Sequence, residues 1–245
     1  MLKLCPTVQL IIVVTDGGSN FGGDPVQAAL EANSLGYPVS ALGIVDADDP
    51  ADEVFDEIKK IGAAGGGVSE MATIHHLNDA LLRVVRMTTA KQLNGIISGQ
   101  LKSILATQED SILPDRTAAK LAEMAERLAD EVYLRCVIAV DCSRSMEAKL
   151  RRVKDGVISL LAAWQNRTGK SDLALLCYPG HNGELTRLLA DFSRDPAYLG
   201  KKLKDINSGG GTPTAPAIRA AARLLRDSRQ SADNAITSEI GAICL

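Results

Sequence analysis

The chain has 245 residues, of which 46% are hydrophobic and 23% charged, and its formal net charge is −3. That length and balance suit one large domain or two small ones with a well-formed core. Near-neutral charge without a basic stripe interleaved with aromatics argues against a nucleic-acid partner. Aromatics are only 3%, so the core must be aliphatic. The cysteines, Cys5, Cys136, Cys142, Cys177 and Cys244, show neither metal-ligand nor redox spacing. Cys136 and Cys177 fall inside apolar runs, where a free thiol behaves as a small hydrophobe, so a reducing cytoplasm is expected.

The first apolar run, "VQLIIVVT" (8–15), is too short to span a bilayer, and no membrane partner is expected. With the preceding residues it resembles a signal peptide superficially. It leads, however, into Thr15-Asp16-Gly17-Gly18 without a small-residue cleavage site, and it reads as a buried strand. Asp24-Pro25 supplies an N-cap and a first-turn proline for a helix to about Leu35, which Gly36 stops. "PVSALGIVD" (38–46) is the next strand. Asp49-Pro50 opens a helix with Val54, Ile58 and Ile61 on one face. "GGGVSEMA" (65–72) is a weak strand, and "LNDALLRVVRM" (77–87) is an amphipathic helix.

From about Thr88 to Asp130 no strand signal occurs. Two helical stretches flank a break at Leu113-Pro114, and Leu121, Met124 and Leu128 recur at a spacing that suits docking. Alternation then resumes. "VYLRCVIAV" (132–140) is a strand ending at Asp141. Met146, Leu150, Val153, Val157, Leu160, Leu161 and Trp164 mark the core face of a long helix. Beside them, Lys149, Arg151, Arg152 and Lys154 read as a solvated face. "DLALLCYPG" (172–180) is a strand, and "ELTRLLADF" (184–192) suits an antiparallel edge strand. Asp195-Pro196 opens a helix, the loop "NSGGGTPT" (207–214) follows, and 215–228 is helical. The tail from Arg229 carries mixed signals. Repeated strand–helix units predict an open, doubly wound α/β sheet, mostly parallel, with helices on both faces. Ligands in such sheets sit outside the carboxyl ends of the strands, where Asp16 and Asp141 fall.

Three motifs carry the chemistry. "DCSRSM" offers Asp141, Ser143 and Ser145 in a strand-to-helix turn. Hard oxygens of this kind suit Mg²⁺, although the same residues make an ordinary helix N-cap. "SGGGTPTAPAI" offers Thr212 and Thr214 after three glycines that permit close backbone approach. It reads equally as a flexible loop with Thr214 as a cap, or as a phosphate loop, but no lysine stands at the Walker spacing. "TDGGSN" places Asp16 at the end of a buried strand, where a plain turn residue is also common.

Asp-x-Ser-x-Ser after a strand, Gly-Gly-Thr-x-Thr, and a strand ending in Thr-Asp-Gly together resemble the von Willebrand factor type A family, over about 8–88 and 133–228. The resemblance implies a Rossmann-like sheet with one antiparallel edge strand and a metal-ion-dependent adhesion site for Mg²⁺ or Mn²⁺. It implies that Ser143, Ser145 and Thr212 reach the metal directly, and that Asp141 and Asp16 do so directly or through water. The remaining coordination position would accept a carboxylate from a partner protein. Intracellular, bacterial-type relatives of this resemblance often serve assemblies with ATPases or chelatases.

The motif order departs from the family, in which Thr-Asp-Gly comes last. Residues 1–88 resemble the back half of such a domain, 89–131 a helical connector, and 132–245 the front half. Either the halves close into one permuted domain, or the chain is a piece of a tandem protein whose halves lack their mates. In the second case two chains could pair as a homodimer by exchanging halves. The tail "SADNAITSEIGAICL" lacks a Thr-Asp-Gly, as a truncated product would. Burial favours pairing of the halves, within one chain or between two, because a three-stranded half-sheet leaves an apolar edge uncovered.

The expected function is a metal-dependent protein-binding module rather than an enzyme, since no general base or activated nucleophile accompanies the hydroxyls. His75 and His76 read as surface or cap residues, and His181 as a turn residue near the site rim. The alternatives are a fragment without a working site and a metal-dependent phosphohydrolase. The latter would use Asp141 as nucleophile, Asp16 as metal ligand and the glycine loop as a phosphate cradle. It lacks a second acid at position 143, which is Ser, and a lysine placed to balance charge.

Overall fold

The computed structural model describes residues 7–45, 52–105 and 115–243. Six strands form one sheet: β1 (Thr7–Thr15), β2 (Val39–Val45), β3 (Gly66–Thr73), β4 (Tyr133–Asp141), β5 (Ser171–Tyr178) and β6 (Arg187–Ser193). Their order is β3-β2-β1-β4-β5-β6. All neighbours are parallel except β6, which runs antiparallel to β5 at the edge. The helices are α1 (Pro25–Ser34), α2 (Asp52–Ala64), α3 (Leu77–Leu105), α4 (Asp115–Leu128), α5 (Leu150–Gln165), α6 (Pro196–Leu203) and α7 (Thr214–Ile243). The fold is a doubly wound, Rossmann-like α/β sheet.

The period-two alternation of the strands divides two aliphatic cores. On one face Leu10, Ile12 and Val14 join Cys136, Ile138 and Val140, covered by Leu81 and Val84 of α3 and Val157 and Leu160 of α5. On the other, Ile11 and Val13 join Val137 and Ala139, covered by α1, α2 and α7 through Ala28, Ala32, Ile58, Ile61, Ile218 and Leu225. Both faces of β1 and β4 are covered, which is why these strands read as continuous apolar runs. From β1 the chain winds one way through α1 and α2, which lie on one face. From β4 it winds the other way through α5, which lies on the opposite face. The strand order therefore reverses between the carboxyl ends of β1 and β4, where a crevice forms.

The expected caps are present. Asp24 accepts from Val26 N at 2.8 Å, and Asp195 accepts from Ala197 N at 2.9 Å. Asp49-Pro50 and the break at Leu113-Pro114 lie outside the described residues, as do the side chains of Val54 and Leu121. Four expectations are corrected. The helix expected over 77–87 continues unbroken to Leu105. Thr88 and Thr89 donate their hydroxyls to Val84 O and Val85 O at 2.7 and 2.8 Å, so neither competes with the helix. In α4, Met124 faces outward at 54% exposure, whereas Ala125 is buried and Leu128 packs on the core, as does Ala129 just beyond the helix. The tail is helical in backbone to Ile243, because no proline and no glycine before Gly241 interrupts it. The long helix after Asp141 is preceded by a separate single 3₁₀ turn, Arg144–Met146.

Ile12 and Ile138 are fully buried on the same face of adjacent strands that lie 126 residues apart in sequence. Ile12→Ala and Ile138→Ala should each destabilise the protein by about 2–5 kcal/mol through cavity formation. Urea unfolding followed by circular dichroism should show one shifted transition in each case. Two separable transitions would mean that the segments carrying β1 and β4 do not share a core.

Candidate metal centre

β1 and β4 pair in parallel from Thr7 opposite Tyr133 to Val14 opposite Val140. Thr15 and Asp141 therefore emerge together at the carboxyl ends of the two central strands. Thr15 Oγ1 donates to Asp141 Oδ2 at 2.5 Å, and Ser143 N donates to Asp141 Oδ1 at 2.8 Å. Ser143 Oγ lies 3.1 Å from Ser145 Oγ, which donates to Asp16 Oδ1 at 2.8 Å. The other oxygen of Asp16 receives Lys149 Nζ at 2.9 Å. Asp141 and Ser143 are buried, Ser145 is exposed, and the Asp16 side chain is 1% exposed.

The glycine-rich loop is tied to both strand ends. Gly209 N donates to Cys142 O at 2.8 Å, and Arg144 N donates to Gly210 O at 3.3 Å. Thr212 N donates to Asn20 Oδ1 at 2.8 Å, Asn20 N donates to Thr212 O at 3.3 Å, and Ser19 Oγ donates to the same carbonyl at 3.2 Å. A Cβ on Gly211 would stand 2.7 Å from Asn20 Oδ1 and 2.8 Å from a ring carbon of Phe21, so this close approach requires glycine. Thr214 is the first residue of α7, and its Oγ1, like the Tyr178 hydroxyl, is buried without a well-formed hydrogen bond.

Asp16, Asp141, Ser143 and Ser145 thus form one hydrogen-bonded array, with Thr212 held alongside by the loop that follows Asp16. Several contributors carried no signal in the sequence. Thr15 orients Asp141, and Asn20 and Ser19 anchor Thr212. Lys149 was expected on a solvated face, but its side chain is 14% exposed and paired with Asp16. Lys154 is likewise half-buried, donating to Ile206 O at 3.1 Å, while Arg151 and Arg152 are exposed as expected. A contact between residues 133 apart in sequence leaves no local trace.

His181 is exposed in a cleft of about 410 Å³ beside the glycine-rich loop, lined also by Phe21, Pro179, Glu184 and Leu185. His76 Nδ1 lies 3.0 Å from Thr73 Oγ1 on the surface. Another cleft of about 240 Å³, between α3 and α5, reaches the start of β4 at Leu134 and contains none of the motif residues.

Burial is the main influence on Asp141 and raises its carboxyl to about 6. Thr15 and Ser143 pull it down, and the charge of Asp16 adds to the rise. Among the described residues no group of three or more His, Cys, Asp or Glu side chains is assembled to hold a metal. The donor set is instead two carboxylates with hydroxyls, a combination of hard oxygens that fits Mg²⁺ or Mn²⁺ and not a soft-ligand metal.

The family model for the von Willebrand factor type A domain matches residues 136–240. "Uncharacterized protein YabS" of Bacillus subtilis (strain 168) is 30% identical over 213 residues, covering 86% of each chain. The crystal structure of an uncharacterized protein from Alicyclobacillus acidocaldarius subsp. acidocaldarius DSM 446 is similar with a TM-score of 0.81 at 32% identity, covering 92% of this chain and 97% of that one. The chain carries a von Willebrand factor type A domain, matched over residues 136–240. The two relatives resemble the chain over most of its length.

The raised folded-state value of Asp141 means that its ionised form opposes folding above about pH 6, and that this cost fades as pH falls towards 3.8. Asp141→Asn should therefore stabilise the protein in chelator at about pH 8, by about 1–3 kcal/mol. The gain should vanish near pH 4. Thermal melts of both proteins across that range measure it.

Proposed function

We propose that the chain is a metal-ion-dependent protein-binding module in which Ser143, Ser145 and Thr212, with Asp141 and Asp16, hold Mg²⁺ or Mn²⁺. An open coordination position would accept a carboxylate from a protein partner. The observation that carries the proposal is the continuous array from Asp141 through Ser143 and Ser145 to Asp16. Its oxygens come from two strand ends that β1–β4 pairing brings together. When bound, the metal supplies a Lewis-acidic centre for an incoming carboxylate, and the chain's own residues position it and exclude competing donors.

The proposal includes the order of the motifs. The halves are taken to close within one chain as a permuted domain, with 89–131 as connector, and no exchange between two chains is then needed. The one shared sheet supports this. We also propose a cytoplasmic, non-enzymatic role. Cys136, Cys142 and Cys177 are buried free thiols, as a reducing compartment would leave them. No helix among the described residues is long and apolar enough to cross a membrane.

One observation favours a second reading, a metal-dependent phosphohydrolase. Lys149 supplies the charge-balancing lysine whose absence weighed against it. The second acid is still Ser143, and Asp141 is fully buried with both oxygens engaged, so a nucleophilic role has no route to substrate. Calorimetric titration of Mn²⁺ into protein of known solution mass tests the main reading. Saturable one-to-one binding to a monomer is expected, and Asp16→Ala or Thr212→Ala should weaken it at least about tenfold, or about 1.4 kcal/mol. Absent binding, or binding only to a dimer, would sink it. Turnover of a generic phosphate ester with Mg²⁺, lost in Asp141→Asn, would favour the hydrolase.

A further inference from the structure

Lys149 immediately precedes α5, and its ammonium meets Asp16 Oδ2 at 2.9 Å while Ser145 occupies Oδ1. The two side chains are 14% and 1% exposed, so solvent and salt screen this pair poorly. A lone buried carboxylate beside a second one would repel it strongly, and the ammonium removes that repulsion. The same ammonium stands beside the array proposed to hold a divalent cation.

We propose that Lys149 is a built-in counter-charge of the metal site, which weakens metal binding and makes the loaded site more positive towards an incoming carboxylate than it would be without the lysine. The inference rests on the adhesion-site reading above. Its basis is a charge count. Asp141 and Asp16, both ionised, offset a divalent cation, and Lys149 adds one unit of positive charge beside them. At the short distances involved, one unit of charge in a partly desolvated site changes affinities by orders of magnitude. The lysine therefore sets a division between the two binding steps. Metal is held less tightly than the oxygens alone would hold it, and the loaded site attracts an anion more strongly than it would without the lysine. Lys149 acts through Asp16 and through its field, as a positioning and charge-setting residue rather than a ligand.

A merely structural role predicts the opposite sign, because a disordered Asp16 would bind metal less well. The full chain and the variants Lys149→Met, Lys149→Gln and Lys149→Arg are titrated with Mn²⁺ alone by calorimetry near neutral pH. Sodium acetate is then titrated into the Mn²⁺-saturated proteins, with water-proton relaxivity reporting displacement of metal-bound water. Gln keeps a donor for Asp16 without the charge, so it remains informative if the Met variant does not fold. Removing the charge should tighten Mn²⁺ binding at least about tenfold and weaken acetate several-fold, with Arg close to the parent. Mn²⁺ binding by the neutral variants but not by the parent would mean that the native site does not hold the metal, and would overturn this inference together with the adhesion-site reading. Binding by the parent with unchanged or weaker affinity in the neutral variants would overturn the role of Lys149 alone. Binding by none of them would overturn the adhesion-site reading together with this inference.

Discussion

The parallel pairing of β1 with β4 is the interaction from which the rest of the structure follows. Its register, Thr7 opposite Tyr133 through Val14 opposite Val140, joins segments that the chain separates by two strands, four helices and the residues between them. It closes both hydrophobic cores, since each face of the sheet takes side chains from both strands. It also fixes where the functional oxygens lie. With Val14 beside Val140, Thr15 reaches Asp141, and Asp16 reaches Ser145. In parallel strands both carboxyl ends point the same way, so a slip by one residue would separate these groups and would also move each core side chain of the slipped strand to the opposite face of the sheet. Core packing thus enforces the site geometry.

That geometry carries an energetic cost. Asp141 is fully buried, and burial raises its carboxyl even though Thr15 and Ser143 both hydrogen-bond to it. Asp16 is nearly as inaccessible and depends on Lys149 and Ser145 for its partners. Two neighbouring carboxylates in a poorly solvated crevice oppose folding unless a cation accompanies them. Lys149 supplies one unit of positive charge, and a divalent metal would supply more. The crevice lies between the two central strands, with the glycine-rich loop braced by hydrogen bonds from both sides.

The cleft beside the glycine-rich loop extends this arrangement outward. Phe21 and Leu185 are exposed apolar residues on its walls, at 43% and 44%. Phe21 follows Asn20, which anchors Thr212. The loop between β1 and α1 thus supplies Asn20, which braces Thr212, and Phe21, which lines the cleft.

Much of the fold was legible in the sequence because the signals were local. The β-branched runs at 8–15 and 132–140, the Asp-Pro caps at 24–25 and 195–196, and the antiparallel edge strand near 184–192 all correspond to observed elements. Local signals failed where helices continued without a breaker, at Thr88 and beyond Arg229, and where one helical stripe offered Met124 and Ala125 as alternative inward positions. Residue types and motif spacing by themselves determined the strands, their carboxyl-end acids and the hydroxyl-rich loops. Only the tertiary structure decided that Thr15 orients Asp141, that Asn20 holds Thr212, and that Lys149 faces Asp16 instead of solvent. These contacts join residues more than a hundred positions apart. Propensity and periodicity act within a few turns of chain, whereas long-range partners are chosen by which strands pair and in which register.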